Sequence, residues 1–118
     1  MKHYVLGIAL CVGLTATLAG QSGQKYTGHL VDAVCAGNHA TEPGYAANHE
    51  KQCNLMAGCV KSGFSLITAD SKVLKFDQKG NDQALALIKA YEKEKDMKVT
   101  VVGTLDGQTL TVSSIKLN

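Results

Sequence analysis

The amino-acid sequence predicts a mainly β protein with two short helices, in the α+β class. Five segments have the alternation or the apolar content of strands, and a helix-like apolar stripe lies between the third and the fourth. A cysteine-rich insert, residues 35–63, separates the first strand from the second and contains the other helix. This is the chain order of an OB-fold, a five-stranded Greek-key barrel that binds partly through its first loop. We therefore predict a five-stranded OB-like antiparallel barrel.

The strands are predicted from short runs of alternating or apolar residues bounded by turn residues. Gly28, inside the first run, indicates a bulge or a close approach of another backbone. The pair Asp106-Gly107 predicts a tight hairpin between the last two strands. The apolar phase of the last strand shifts at Ser113 and Ser114, which predicts a bulge there. The five predicted strands span residues 25–34, 64–68, 72–77, 97–105 and 108–117.

The two helices are predicted at 45–57, inside the insert, and at 82–91, between the third and fourth strands. The first follows a predicted loop at 35–44 and is rich in good helix formers. Gly58 is its expected C-terminal stop, because glycine readily adopts the backbone conformation that ends helices. Asn81 is the expected N-cap of the second helix.

Residues 1–20 have the organisation of a secretory signal peptide, with a polar start and an uncharged apolar run that ends in small residues. We expect cleavage after Ala19 or Gly20. The apolar run is shorter than the roughly 20 residues that a membrane-spanning helix needs, and a retained membrane anchor is the alternative interpretation. The expected product is periplasmic or secreted, with a flexible leader at 21–24, a single domain at 25–118 and no stable membrane insertion.

The charge pattern argues against a nucleic-acid partner. All 12 basic residues are lysines, they are scattered among 10 acidic residues, and the formal net charge is only +2. Nucleic-acid readers usually present a clustered basic face. We therefore expect the partner to be a protein or a small ligand in the cell envelope.

Three of the four cysteines remain after the predicted cleavage, since Cys11 lies in the signal. Thiols of exported proteins tend to form disulfides. Cys35 lies at the exit of the first strand and Cys59 just before the second, so the two approach each other if these strands are neighbours. We therefore predict a Cys35–Cys59 disulfide, with Cys53 as the unpaired thiol.

The alternative is that the insert holds a metal ion. Three thiolates and one imidazole suffice for tetrahedral zinc, and an added thioether makes a soft set that also suits copper(I). His49 and Cys53 are four residues apart, on one face of the predicted helix. The spacing matches no standard zinc-finger pattern, so disulfide and metal both stay open. The candidate metal ligands are Cys35, His39, His49, Cys53, Met56 and Cys59.

The chain resembles a group of small exported bacterial proteins of uncharacterised function, which have a signal peptide, a Cys-rich loop and an OB-like β-domain. The resemblance implies this architecture and brings no activity or ligand with it. Cys53 and Cys59 are further apart here than in the related pattern. The resemblance rests on the runs Gly28-x-Leu30-x-Asp32-x-x-Cys35, His49-x-x-x-Cys53, Cys59-Val60-Lys61-x-Gly63-Phe64 and Lys75-Phe76-Asp77.

The sequence thus favours an exported binding or accessory module of the cell envelope with a disulfide-stapled loop. The alternative is a zinc- or copper-binding protein that uses the insert. A thiol-redox protein is the third interpretation, and the absence of a C-x-x-C pair argues against it. We assign no catalytic residue, because the chain has no G-x-S-x-G elbow, no H-E-x-x-H and no phosphate-binding glycine loop.

Overall fold

The computed structural model of the protein describes residues 23–118. The predicted signal peptide and the first part of the leader lie outside the described residues, while Gln24 is the first residue of a strand. The elements in chain order are β1 (Gln24–Asp32), α1 (Ala33–His39), α2 (Tyr45–Asn48), α3 (Lys51–Asn54), α4 (Ala57–Ser62), β2 (Phe64–Thr68), β3 (Val73–Phe76), α5 (Gln78–Ala90), β4 (Lys98–Asp106) and β5 (Thr109–Leu117).

The five strands form one sheet that closes in a ring, in the order β1-β2-β3-β5-β4, with β4 returning to β1. The ring closes because β1 pairs with two neighbours: its second half runs antiparallel to β2 and its first half antiparallel to β4. The prediction of five strands in an α+β protein is confirmed. The expectation of a wholly antiparallel sheet is wrong, since β3 and β5 are parallel.

Gly28 lies where β1 changes partners, opposite Thr68 of β2 and Val99 of β4. A Cβ atom at this position would lie 2.3 Å from the carbonyl oxygen of Ile67. Only glycine allows the two backbones to approach this closely. The predicted close approach is therefore confirmed.

The β4–β5 hairpin agrees with its sequence signals. Gly107 has a φ of +62°, the left-handed conformation that a tight turn requires. The register then shifts, because Val102 is opposite Ser114 while Gly103 is opposite Val112. Ser113 is the extra residue, which confirms the predicted bulge.

The helix between β3 and β4 is present but begins earlier than predicted. Asp77 is the N-cap of α5, and its side chain accepts a hydrogen bond from the Gly80 backbone N–H at 3.1 Å. The expectation that Asn81 caps this helix is wrong, because its side chain instead accepts from the backbone N–H of Phe64 at 2.8 Å. The apolar stripe of α5 packs against the interior of the ring, where Ala84 and Ile88 are fully buried.

The insert contains several short helices, so the described part of the chain has five helices and not two. The predicted loop at 35–44 begins inside α1. The predicted helix at 45–57 is broken at His49, whose backbone is extended with a ψ of 126°. Gly58 lies within α4, and Gly63 ends that helix with a φ of +84°.

The insert is packed onto the outer face of the sheet. Val31, Ile67 and Ala36 form a second buried apolar cluster beneath it. Backbone hydrogen bonds also tie it to the connection between α5 and β4, from Lys51 N to Glu94 O at 2.7 Å and from Asp96 N to Ala47 O at 2.9 Å. Among residues 23–118, no helix is both long and apolar enough to cross a membrane.

Candidate functional site: a thiol–carboxylate cluster at the end of β1

The site is built on Asp32, the last residue of β1 and the N-cap of α1. Its Oδ2 accepts a hydrogen bond from the backbone N–H of Cys35 at 3.0 Å. This is the ordinary N-cap contact, made to the third residue beyond the cap. The local pattern Asp-x-x-Cys therefore places the Cys35 side chain beside a carboxylate that is fully buried.

Cys59 reaches the same place from α4. One ligand atom each from Asp32, Cys35 and Cys59 lies within 4.8 Å of the other two. We call these three residues the thiol–carboxylate cluster. Cys35, Cys53 and Cys59 are all free thiols. The Cys35–Cys59 disulfide thus stays a prediction, with the two sulfur atoms near each other and not bonded.

His49 contacts the second carboxylate oxygen of Asp32. Its Nε2 lies 2.9 Å from Asp32 Oδ1, and the two side chains are only 4% and 0% exposed. The break between α2 and α3 directs this histidine towards β1. The prediction that His49 and Cys53 share a helical face is wrong, because His49 is not helical.

Asn54 completes the support of the cluster. Its Oδ1 accepts from the backbone N–H of Asp32 at 2.9 Å, and its Nδ2 donates to the carbonyl of Leu30 at 3.4 Å. The side chain is buried. Asp32 therefore has hydrogen-bond partners on its backbone N–H and on both carboxylate oxygens.

The electrostatics of the cluster favour a charged carboxylate and neutral thiols. Burial alone raises the pKa of Asp32, but hydrogen bonds from His49 and from the Cys35 backbone outweigh it and hold the pKa below its ordinary value. Burial and the nearby Asp32 charge raise the pKa of Cys59 to about 11. Burial likewise raises the pKa of Cys35, opposed in part by a hydrogen bond with Tyr45. A cation placed among these groups would favour the thiolates.

Cys53 lies at an open pocket of about 400 Å³ beside the cluster, together with Cys35, Tyr45 and His49. It was predicted as a metal ligand, and it does not belong to the group of three whose ligand atoms lie within 4.8 Å. Through this pocket, solvent reaches the edge of the cluster at Cys35.

Two further predicted ligands have other surroundings. The Nδ1 of His39 lies 2.8 Å from Glu42 Oε1, and its ring stacks on Tyr45 with 4.6 Å between the ring centroids. Met56 is the N-cap residue of α4, and 62% of its surface is exposed. The ring nitrogens of His39 are not among the three ligand atoms of the thiol–carboxylate cluster.

Asp32 was not among the predicted site residues, and neither was Asn54, which supports it. Asp32 at the end of the first strand was the available signal, because aspartate is a preferred N-cap and its side chain then reaches the backbone of the third residue beyond it, which here is Cys35. No comparable local signal identifies Asn54, since its partners are 22 and 24 residues away in sequence.

Fold and site together define a small α+β protein whose five-stranded ring carries a thiol–carboxylate cluster beside one strand end. Comparison of the chain with protein-family models, with curated proteins and with solved structures found no match.

Proposed function

We propose that the protein is a small exported metal-binding module that holds one zinc ion through Asp32, Cys35 and Cys59. The observation that carries the proposal is the approach of their three ligand atoms to within 4.8 Å of one another. Zinc accepts thiolate and carboxylate ligands in one tetrahedral site. Copper(I) is the alternative ion, and the carboxylate makes it the less suitable one, because copper(I) prefers soft ligands alone.

The protonation states of the three residues also support their assignment as zinc ligands. Asp32 is buried with a lowered pKa, while burial and the neighbouring charge of Asp32 raise the pKa values of both thiols. Metal binding requires thiolates and releases their protons. We therefore expect zinc binding to release about two protons near neutral pH.

His49 is a positioning residue in this proposal. A metal ligand is usually oriented by a hydrogen bond from a neighbouring group, and loss of that group typically weakens metal affinity about 10–100-fold. The 2.9 Å contact between His49 Nε2 and Asp32 Oδ1 has this form. The remaining position of a tetrahedral ion is left for solvent from the pocket that Cys35 lines.

The architecture we propose is an OB-like barrel. The support is the strand order β1-β2-β3-β5-β4 with α5 between β3 and β4. The insert then occupies the loop between the first two strands, one of the loops that OB-folds use for binding. Export to the periplasm or the medium is part of the proposal and rests on the signal-like residues 1–20.

Zinc titration of the reduced protein, followed by calorimetry and by competition with a chromophoric chelator, tests the function. We expect one ion per chain, loss of stoichiometric binding in Cys35→Ser and Cys59→Ser, and an affinity about 10–100-fold lower in His49→Ala. Cys53→Ser and Met56→Leu are the matched controls and should bind as the wild type does. Wild-type affinity in Cys35→Ser, or no binding by the folded reduced protein, would refute the assignment.

A second candidate is an envelope binding module whose insert is stapled by a Cys35–Cys59 disulfide. The observation that favours it is that both sulfur atoms belong to the same cluster. Closing the loop between the two cysteines would add roughly 3–4 kcal/mol in the chain-entropy model. Non-reducing peptide mapping of protein recovered from the periplasm tests it, and a Cys35–Cys53 or Cys53–Cys59 peptide would exclude it.

A further inference from the structure

Metal binding and disulfide formation compete for the same two atoms. The sulfur atoms of Cys35 and Cys59 lie in one group that spans at most 4.8 Å, and they come from two different short helices. A disulfide brings its two sulfurs to about 2.05 Å. A disulfide sulfur is no longer the thiolate that a metal site of this kind needs.

We propose that the thiol–carboxylate cluster is a redox-controlled metal site, in which oxidation by a hydroperoxide joins Cys35 to Cys59 and releases the ion. This inference rests on the proposed metal-binding function and adds its regulation. Oxidation leaves Asp32 as the one remaining ligand of the three, and a single carboxylate does not retain zinc.

The geometry assigns which of the two cysteines reacts with the peroxide first. Cys35 lines the open pocket, so a small peroxide has access to it. Its thiolate attacks one oxygen of hydrogen peroxide, hydroxide leaves, and a sulfenic acid forms. The thiolate of Cys59 then attacks that sulfur, and a second hydroxide leaves as the disulfide forms. Two electrons pass from the sulfurs to the peroxide, and two protons from solvent complete two molecules of water.

Cys53 is the competitor for the second step, because it lines the same pocket as Cys35. Its thiol does not belong to the group within 4.8 Å, whereas that of Cys59 does. The structure therefore favours Cys59 as the partner. Peptide mapping identifies directly which two cysteines are joined.

The experiment uses the folded mature protein, reduced, loaded with one equivalent of zinc and freed of excess metal. One equivalent of hydrogen peroxide is added, released zinc is followed with a chromophoric indicator, and disulfides are mapped by non-reducing mass spectrometry. We expect one ion released for each Cys35–Cys59 disulfide, the same result in Cys53→Ser, and recovery of binding after reduction with a dithiol. In a parallel arm, metal-free protein oxidised by diamide should form the same disulfide and bind no zinc.

The outcomes separate this inference from the proposed function. Zinc that binds and stays bound while the disulfide forms would overturn the redox control and leave metal binding intact. Release accompanied by a Cys35–Cys53 disulfide, or by no disulfide, would overturn the assignment of the two sulfurs. Reduced protein that never binds zinc refutes the proposed function, and the control of the site with it, whatever disulfide the diamide arm produces.

Discussion

Replacement of Asn54 by alanine tests whether the insert is held to β1 by one buried side chain. Asn54 is 1% exposed, and its side chain makes both of its hydrogen bonds with the backbone at the end of β1. Alanine leaves the backbone N–H of Asp32 without its acceptor and the carbonyl of Leu30 without its donor. Val31, which precedes Asp32, and Phe64, which lies opposite Asp32 on β2, are both buried, and this limits the access of water to the orphaned groups.

The expected loss in the free energy of unfolding of Asn54→Ala can be estimated from these two hydrogen bonds. A buried donor left without a partner costs about 1–3 kcal/mol. The second contact, at 3.4 Å, is long, and we assign it the lower end of a typical net hydrogen bond, about 0.5–1 kcal/mol. The sum predicts a loss of roughly 1.5–4 kcal/mol in the free energy of unfolding. For a domain of this size, each kcal/mol shifts the melting temperature by about 4–8 °C.

The assay is urea unfolding of the reduced, metal-free protein, monitored by circular dichroism, with thermal unfolding as a second measurement. Asn48→Ala is the matched control, because the same substitution in the same insert removes an exposed hydrogen bond to the carbonyl of Gly44. We expect that control to change stability by no more than about 0.5 kcal/mol. Equal stability of the two variants would refute the reasoning, because it would mean that the Asp32 backbone is not buried against Asn54.

Four further predictions concern the strands, the turn, the buried carboxylate and the N-terminus. Gly28→Ala should destabilise the domain by about 1–3 kcal/mol, since its Cβ would meet the Ile67 carbonyl at 2.3 Å; an unchanged urea midpoint would contradict the close approach. Gly107→Val should also cost roughly 1–3 kcal/mol, because a β-branched residue resists a φ of +62°, and the same measurement checks it. The pKa of Asp32 is lowered in the folded protein, so its stabilising contribution is fully present above about pH 3.8 and is lost as the pH falls through the folded pKa. The free energy of unfolding of the wild type should therefore exceed that of Asp32→Asn by less as the pH is lowered. A difference that stays constant down to about pH 2 would contradict the lowered pKa. Intact-mass analysis of exported protein should show loss of about 2 kDa from cleavage near residues 19–20, and an uncleaved membrane-bound species would reject the signal.

Several features of the fold follow from local patterns and were predicted from the sequence. The turn at Gly107 needs a left-handed residue, and the extra residue Ser113 shows itself as a slip in the apolar alternation. The helix between β3 and β4 has an apolar stripe that can be read without knowing its partner. Each of these signals lies within a few residues of the feature that it predicts.

The insert was predicted less well, because its helices are too short for propensity to decide them. His49 has neighbours that favour a helix, yet its backbone is extended, and its side chain contacts Asp32, which precedes it by 17 residues. The contact satisfies a buried carboxylate, and leaving such a group unpaired costs more than interrupting a marginal helix. Tertiary packing therefore decided the break.

The sequence by itself determined the number of strands, the place of the insert and the presence of three thiols beyond the predicted signal. Only the tertiary structure decided that β3 and β5 are parallel and that the ring closes through β1. The approach of Cys35 to Cys59 was expected from the ends of the first two strands, but only the tertiary structure decided that both thiols lie beside the buried Asp32. Such pairings depend on where distant strand ends and helices meet in space, and residue spacing along the chain contains no direct record of that distance.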